Sequence, residues 1–356
     1  MNEKNIIAKL RYPSYYIPAL AILILIFFPF LTNNEYIVQV GIMVLLFAVM
    51  GSGWNIIAGF GGQLSLGHAA FVGIGAYVST LLFVYLDLTP WIGMLVGAVV
   101  SAIFGVIVGY PCFKLKGAYY ALATIAYGEL VRIFIQNTNQ IGPIDLKGAQ
   151  GILLPIKGHS WFWFQFDTKA PYYYIALVMM FLAILLCYKI KNSKFGYYLA
   201  AIGDNQDAAA SLGVDSSRMK VYAAAISSFV MGIAGTFYAQ FLLYIGPQSL
   251  LVDTFSTEIA LVGIIGGAEV MGPIIGAFLL TPISEATRIL LGGRFIGVHL
   301  VVYGAILMAV ITYAPSGILP YLKKVYYKFL ALLGDPQYQD YRTIKAPAKG
   351  LGGGIK

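Results

Sequence analysis

Apolar runs close to twenty residues long recur from Tyr15 to Ala314, separated by short polar loops. A helix needs roughly twenty apolar residues to cross the hydrocarbon core of a bilayer. Only helices or closed barrels avoid stranding backbone polar groups in lipid. Because the runs are continuous and do not alternate, they predict helices and not barrel strands. The expected spans cover 15–31, 36–57, 65–86, 91–110, 118–137, 172–188, 221–245, 255–266, 273–291 and 296–314. The chain reads as all-α, a polytopic integral membrane protein of about ten transmembrane helices, with glycine-rich broken helices and an eighth span that is short and broken.

Composition agrees, with 59% hydrophobic and 11% charged residues. The formal charge of +8 does not point to nucleic acid, because the basic residues sit in particular short loops and form no helical stripe. Lys4, Lys9 and Arg11, then Lys114 and Lys116, then Lys189 through Lys220, then Lys323, Lys324 and Lys328 all fall on one side of the predicted topology. The positive-inside rule makes that side cytosolic, with both termini there. Glu35, Asp87, Asp253 and the segment 140–169 then face outward, and Trp161, Phe162, Trp163 and Phe164 are expected to rest in the interface. The first apolar run resembles a signal peptide but lacks a small-residue cleavage site after Pro29, so it reads as a retained span. Cys112 and Cys187 fall at cytosolic helix ends and imply neither a disulfide nor a thiolate metal site. The expected organisation is a permease domain over 1–320, an interfacial basic helix over 321–334 and a flexible cytosolic tail over 335–356.

Small residues recur at four-residue spacing in Gly93, Gly97, Ser101, Gly105 and Gly109, and again in Ser228, Gly232 and Thr236. Such stripes allow helix backbones to touch where no hydrophobic effect draws them together. Two segments, GGQLSLG from Gly61 and GGAEVMG from Gly266, share their glycines and form a faint internal repeat.

The stretch GGQLSLGHAAFVGIGAY, Gly61 to Tyr77, is too apolar for a surface loop and too rich in glycine for an ordinary helix. Gly61 and Gly62 can take conformations closed to other residues. A helix restarting near Ser65 would carry unpaired amides at membrane depth. Such backbone survives there only if it is buried in protein or borders a watery cavity. Gly61, Gly62, Gln63, Ser65 and His68 are therefore candidates for a substrate path; the alternative is a tight kink whose histidine is satisfied by neighbours. Glu129 with Arg132, and Glu285 with Arg288, lie three residues apart and are expected to pair. Glu258 and Glu269 flank the short eighth helix without an obvious partner. In the longest cytosolic loop, residues 205–212 can form a short helix capped by Asp204 or Asn205 and stopped by Gly213. Its small face of Ala208, Ala209, Ala210 and Ser211 suits a groove on another protein.

Taken together, NIIAGFGGQLSLGHAAFVGIGAY, KGAYYALATIAYGELVRI, the loop from Ser193 to Ala239, GIIGGAEVMGPIIGAF and YAPSGILPYL resemble the permease family of branched-chain amino acid ABC importers, in its M-type subunit. The resemblance implies a multi-pass protein of the bacterial inner membrane that is not an enzyme. It also implies three kinds of contact besides the bilayer: a homologous H-type permease, two cytosolic ATPase subunits and an extracytoplasmic solute-binding protein. In that family the cytosolic loop carries an E-A-A-x-x-x-G type sequence that docks on the ATPase. Asp207, Ala208, Ala209 and Gly213 match it here, with Asp in place of Glu. No catalytic, metal or cofactor residues are implied, and ATP would be bound by the partners.

No G-x-x-x-x-G-K-[ST] sequence occurs, which agrees with energy supplied from outside the chain. An ion-coupled secondary transporter would share broken helices, but it needs an embedded titratable group, and only His68, His299 and the paired glutamates offer one. A hydrolase elbow fails because position 63 is Gln where G-x-S-x-G needs Gly. Within the ABC class, urea or another small amide remains an alternative solute.

Overall fold

The computed structural model describes residues 13–32, 34–112, 115, 117–291, 298–314 and 316–333. It forms two compact units, one of residues 34–319 and one of residues 1–33 with 320–356. In the smaller unit, α1 (Pro13–Leu31) is followed far along the chain by α14 (Leu319–Leu332). On α14 the exposed Leu322, Val325 and Phe329 alternate with Lys323, Lys324 and Lys328, as the helical spacing predicts. The basic residues of 1–12, Lys114, Lys116 and the tail 335–356 lie outside the described residues.

The larger unit runs α2 (Glu35–Ile57), α3 (His68–Tyr85), α4 (Pro90–Cys112), α5 (Ala118–Asn137), α6 (Ala170–Lys191), α7 (Lys194–Asp204), α8 (Gln206–Ser211), α9 (Ser216–Leu242), α10 (Pro247–Leu250), α11 (Asp253–Gly266), α12 (Gly272–Leu291) and α13 (Val298–Tyr313). Among the described residues, 7 segments are long and apolar enough to cross a membrane: α2 to α6, α9, and α10 with α11 taken together. The sequence pattern located each of these, with small shifts at the ends. The third starts at His68 and not at Ser65, and the ninth helix stops at Leu242, three residues before the expected end. Its chain then turns through Leu243 at φ +54 into a short strand.

Small side chains decide the packing. α2 is the most buried span, and α3, α4 and α9 pack on one another through glycine. A Cβ on Gly75 would lie 2.4 Å from the Cα of Gly232, and one on Gly97 would lie 2.7 Å from the Gly75 carbonyl oxygen. Ser101 seals this three-helix seam, its Oγ lying 2.9 Å from the carbonyl oxygens of both Phe71 and Ser228. The stripe on α4 is accordingly a buried packing face, and close van der Waals contact holds it, as expected where lipid competes for apolar surface.

One end of the bundle gathers the ends of α2 and α6, the starts of α5 and α9, and α7. Ile57, Tyr120, Cys187, Ile190, Leu199 and Ala223 pack there in one apolar cluster beside Lys189, Lys191 and Lys194. At the other end, β1 (Gln140–Ile141) pairs with β2 (Ile144–Asp145). There, too, β3 (Ile152–Leu153) pairs antiparallel with β4 (Tyr244–Ile245), placing Ile152 opposite Ile245. The aromatic segment expected at the interface divides its labour. Trp161 and Phe162 are exposed. Phe164 is fully buried instead, edge-on to Trp91, Tyr172 and Phe237, because the chain turns inward there at φ +54.

Gly75→Val should force α3 and α9 apart and cost about 1–3 kcal/mol. A thermal unfolding scan of the purified protein in detergent should show a lower midpoint. Gly304→Ala on α13, where an added Cβ meets nothing within 4 Å, should leave the midpoint level or raise it.

Candidate functional site

The break between α2 and α3 is held by a set of hydrogen bonds that leaves few of its polar groups idle. Leaving α2, the chain keeps three bonds of its own: Ala58 N–H to Trp54 O, Phe60 N–H to Asn55 O, and Gln63 N–H to Ile57 O. Gly62 takes φ +64, which only glycine adopts without strain. Beyond it the hydrogen-bond partners come from elsewhere. Trp54 Nε1–H donates to Ser65 O at 2.7 Å, Leu66 N–H to Thr124 Oγ1 at 3.1 Å, and Ala69 N–H to Ser256 Oγ at 2.8 Å. The amides that the sequence places unpaired at a restarting helix are thus capped by hydroxyls from α5 and α11.

His68 is buried among hydroxyls. Ser227 Oγ–H donates to Gly53 O at 2.7 Å, so this oxygen must accept from His68 Nε2, 2.9 Å away. His68 Nδ1 is then the acceptor for Ser65 Oγ–H at 3.0 Å. The relay Ser65, His68, Ser227, Gly53 assigns a neutral imidazole with its proton on Nε2 and both nitrogens occupied. Its order joins α2, α3 and α9, so the ring ties helices together.

The five residues proposed for a path do not share one surface. Ser65 and His68 face a narrow, largely enclosed crevice between α3, α4, α5 and α9, with room for about one water molecule. Gly61 and Gln63 are buried, while Gly62 is exposed and faces a separate cleft shared with Lys191, Asp204 and Ala268 at the bundle's basic end. There the backbone of Gly62 touches that of Gly203, whose Cα would lie 2.8 Å from an added Cβ. The turn therefore sits at the end of the bundle, where exposed carbonyls can meet water, and only residues 65–68 reach inside.

The second glycine-rich segment lies beside the first. Asn55 Nδ2 donates to Glu269 O at 3.0 Å, and Gly267 takes φ +95 as α11 turns back into α12. Glu129 and Arg132 form a two-point ion pair, and Arg132 also donates to Gln136 at 2.9 Å. Glu258 and Glu269, which the sequence left open, both have partners. The side chains of Arg288 and His299 lie outside the described residues. Among the described residues no group of three or more His, Cys, Asp or Glu could hold a metal ion.

The loop helix forms as its cap predicts: Asn205 Oδ1 accepts from Asp207 N–H at 3.0 Å and Ala208 N–H at 3.1 Å, and Gly213 closes it at φ +85. Its expected small-residue face needs correction. Ala209 is buried and holds the helix down, leaving Asp207, Ala208, Ser211 and Leu212 outward. Leu212 is 85% exposed, the most exposed large apolar side chain among the described residues. Lys220, itself buried on α9, donates to Gln206 Oε1 at 2.7 Å and anchors the helix start. Trp54, Asn55, Ser227 and Ser256 were not singled out in the sequence. Their partners lie 11 to 214 positions away, and no local pattern marks them.

A bundle of apolar spans closed by glycine, with a re-entering segment and an exposed loop helix at its basic end, defines a multi-pass membrane protein. The chain belongs to the family described as branched-chain amino acid transport system / permease component, whose profile matches residues 36–311. It is similar to the high-affinity branched-chain amino acid transport system permease protein LivM of Salmonella typhimurium, 26% identical over 317 residues, covering 84% of this chain and 73% of that protein. LivM of Escherichia coli K12 is 26% identical over 310 residues, covering 82% and 72%. The permease protein LivH of the same strain is 24% identical over 300 residues, covering 78% and 93%. No solved structure matches the chain significantly.

Ser256→Ala should leave the buried Ala69 amide without an acceptor, a loss of about 1–3 kcal/mol. Thermal unfolding in detergent should report it, with Ser256→Thr, which keeps the hydroxyl, recovering most of the loss.

Proposed function

We propose that this chain is one permease half of an ABC importer for branched-chain or related apolar amino acids. A homologous permease would complete the conduit, two cytosolic ATPases would drive it and an extracytoplasmic protein would deliver solute. The family match over residues 36–311 carries the reading. About ten spans, with both termini and the basic end of the bundle in the cytosol of a bacterial inner membrane, complete it. Residues 1–320 form the permease domain in this reading, 321–334 an interfacial helix and 335–356 a flexible tail.

The mechanism is alternating access. ATP-driven closure of the partner subunits presses on α8 through Asp207, Ala208 and Leu212, with Gly213 setting the end of the docking helix. Two contacts support transmission from there. Lys220 links α8 to the transmembrane helix α9, and Gly203 at the end of α7 bears directly on Gly62. A push on the loop so reaches the segment Gly61, Gly62, Gln63, Ser65 and His68, the proposed inner gate. The burial of His68 among neutral hydroxyls weighs against an ion-coupled carrier, because a proton taken up at Nδ1 would leave a charged imidazolium without an acidic partner.

Leu212→Asp should weaken ATPase binding by about 2 kcal/mol or more. Co-purification of the ATPase subunits and solute-stimulated ATP hydrolysis should both fall while the chain stays in the membrane; unchanged coupled uptake would rule out this docking face. Gly203→Val should leave the ATPases bound yet lower the solute moved per ATP hydrolysed, and wild-type stoichiometry would exclude the Gly203–Gly62 contact as a transmitter.

A further inference from the structure

The crevice beside His68 holds two polar groups that the fold leaves unused. Ser228 Oγ is completely buried, and Tyr127 Oη is buried as well; neither has a hydrogen-bond partner among the described residues. Both residues line the crevice, Ser228 from α9 and Tyr127 from α5. The neighbouring hydroxyls differ sharply: Ser65, Ser227 and Thr124 each make a structural bond described above. A buried hydroxyl without a partner carries a desolvation cost, and two facing one cavity point to a group that arrives from outside the chain.

The remaining walls limit what that group is. Ile57, Phe71 and Val108 supply apolar surface, and no Asp, Glu, Lys or Arg among the described residues lines the crevice. A solute bearing net charge would lie there uncompensated. A net-neutral zwitterion with an aliphatic side chain meets the walls better, its carbon branch on Ile57, Phe71 and Val108 and its polar head on the two hydroxyls. Gly105 makes the space: a Cβ there would lie 2.2 Å from Ser228 Oγ.

In the conformation seen the crevice has room for about one water, so a larger solute would enter only if a wall moved. One wall is suited to open. α5 is the least buried of the 7 spans, and it starts at Gly117, which takes φ +55 and where an added Cβ would meet nothing within 4 Å. It also touches the re-entering segment closely, since a Cβ on Gly67 would lie 2.2 Å from the Thr124 carbonyl oxygen. Movement of residues 65–68 and movement of α5 are therefore linked.

We infer that the crevice between Tyr127 and Ser228 is the inner solute station of the conduit, taking a neutral, aliphatic amino acid and reading its polar head with those two hydroxyls. The inference rests on the importer reading above and adds the residues that touch solute.

The test is uptake of radiolabelled leucine, isoleucine and valine by the full importer, assembled with its partner permease, ATPases and binding protein in proteoliposomes. Tyr127→Phe and Ser228→Ala each remove a hydroxyl that supports nothing in the fold, so the thermal midpoint should hold or rise. Uptake at saturating binding protein should nevertheless fall by about fivefold in each, and binding of solute to the extracytoplasmic protein should not change. Wild-type uptake in both hydroxyl variants overturns the station, as does a loss of uptake matched by a drop in the midpoint. Failure of the unmodified importer to move any of the three solutes overturns the importer reading itself, and the station with it.

Discussion

The structure depends on one constraint: ten residues of non-helical backbone run between two apolar helices, and where they enter the bundle their backbone polar groups have to be matched inside the protein. An unmatched amide in such surroundings costs about 1–3 kcal/mol, comparable to a good fraction of a domain's net stability. The break between α2 and α3 meets this with an indole N–H from Trp54 and hydroxyls from Thr124, Ser227 and Ser256. Once those donors and acceptors are fixed, the positions of α5, α9 and α11 around α3 follow. The glycine contacts between α3, α4 and α9 then fill the remaining space without a gap.

The proposed function draws on the same break. The segment has two faces, one toward the cleft at the basic end through Gly62, the other toward the enclosed crevice through Ser65 and His68. In the proposed mechanism, hydrogen-bonded at its inner end and touched by Gly203 at its exposed turn, it carries a displacement from one compartment toward the other. The second glycine-rich turn, tied to Asn55 through Glu269, gives the bundle a matching reversal at the same end.

Much of this was legible in the residues. Long apolar runs predicted the spans that the structure describes, because length and hydropathy are local properties. The cap of α8 and its glycine stop were legible for the same reason, and so was the Glu129–Arg132 pair, three residues apart on one helix. Other placements depended on tertiary packing. The small face of α8 included Ala209, which faces inward, since a run of three alanines does not say which one is buried. The path residues were gathered by sequence proximity, yet the turn at Gly62 separates Gly61, Gly62 and Gln63 from the crevice. Ser228 was noticed as part of a packing stripe, but its unmatched hydroxyl emerges only when α4 and α5 are seen beside it. Contacts over such sequence distances are set by tertiary packing and leave no periodic trace.

The hydroxyls that complete the break have a bearing on biogenesis. A chain is made from its amino terminus, so α2 and α3 are synthesised long before Ser227 and Ser256, 159 and 187 positions beyond the residues they serve. Until those serines arrive, the hairpin carries open amides and an unanchored imidazole. The early spans must therefore wait, wet or sheltered by the insertion machinery, for α9 and α11 to seal them.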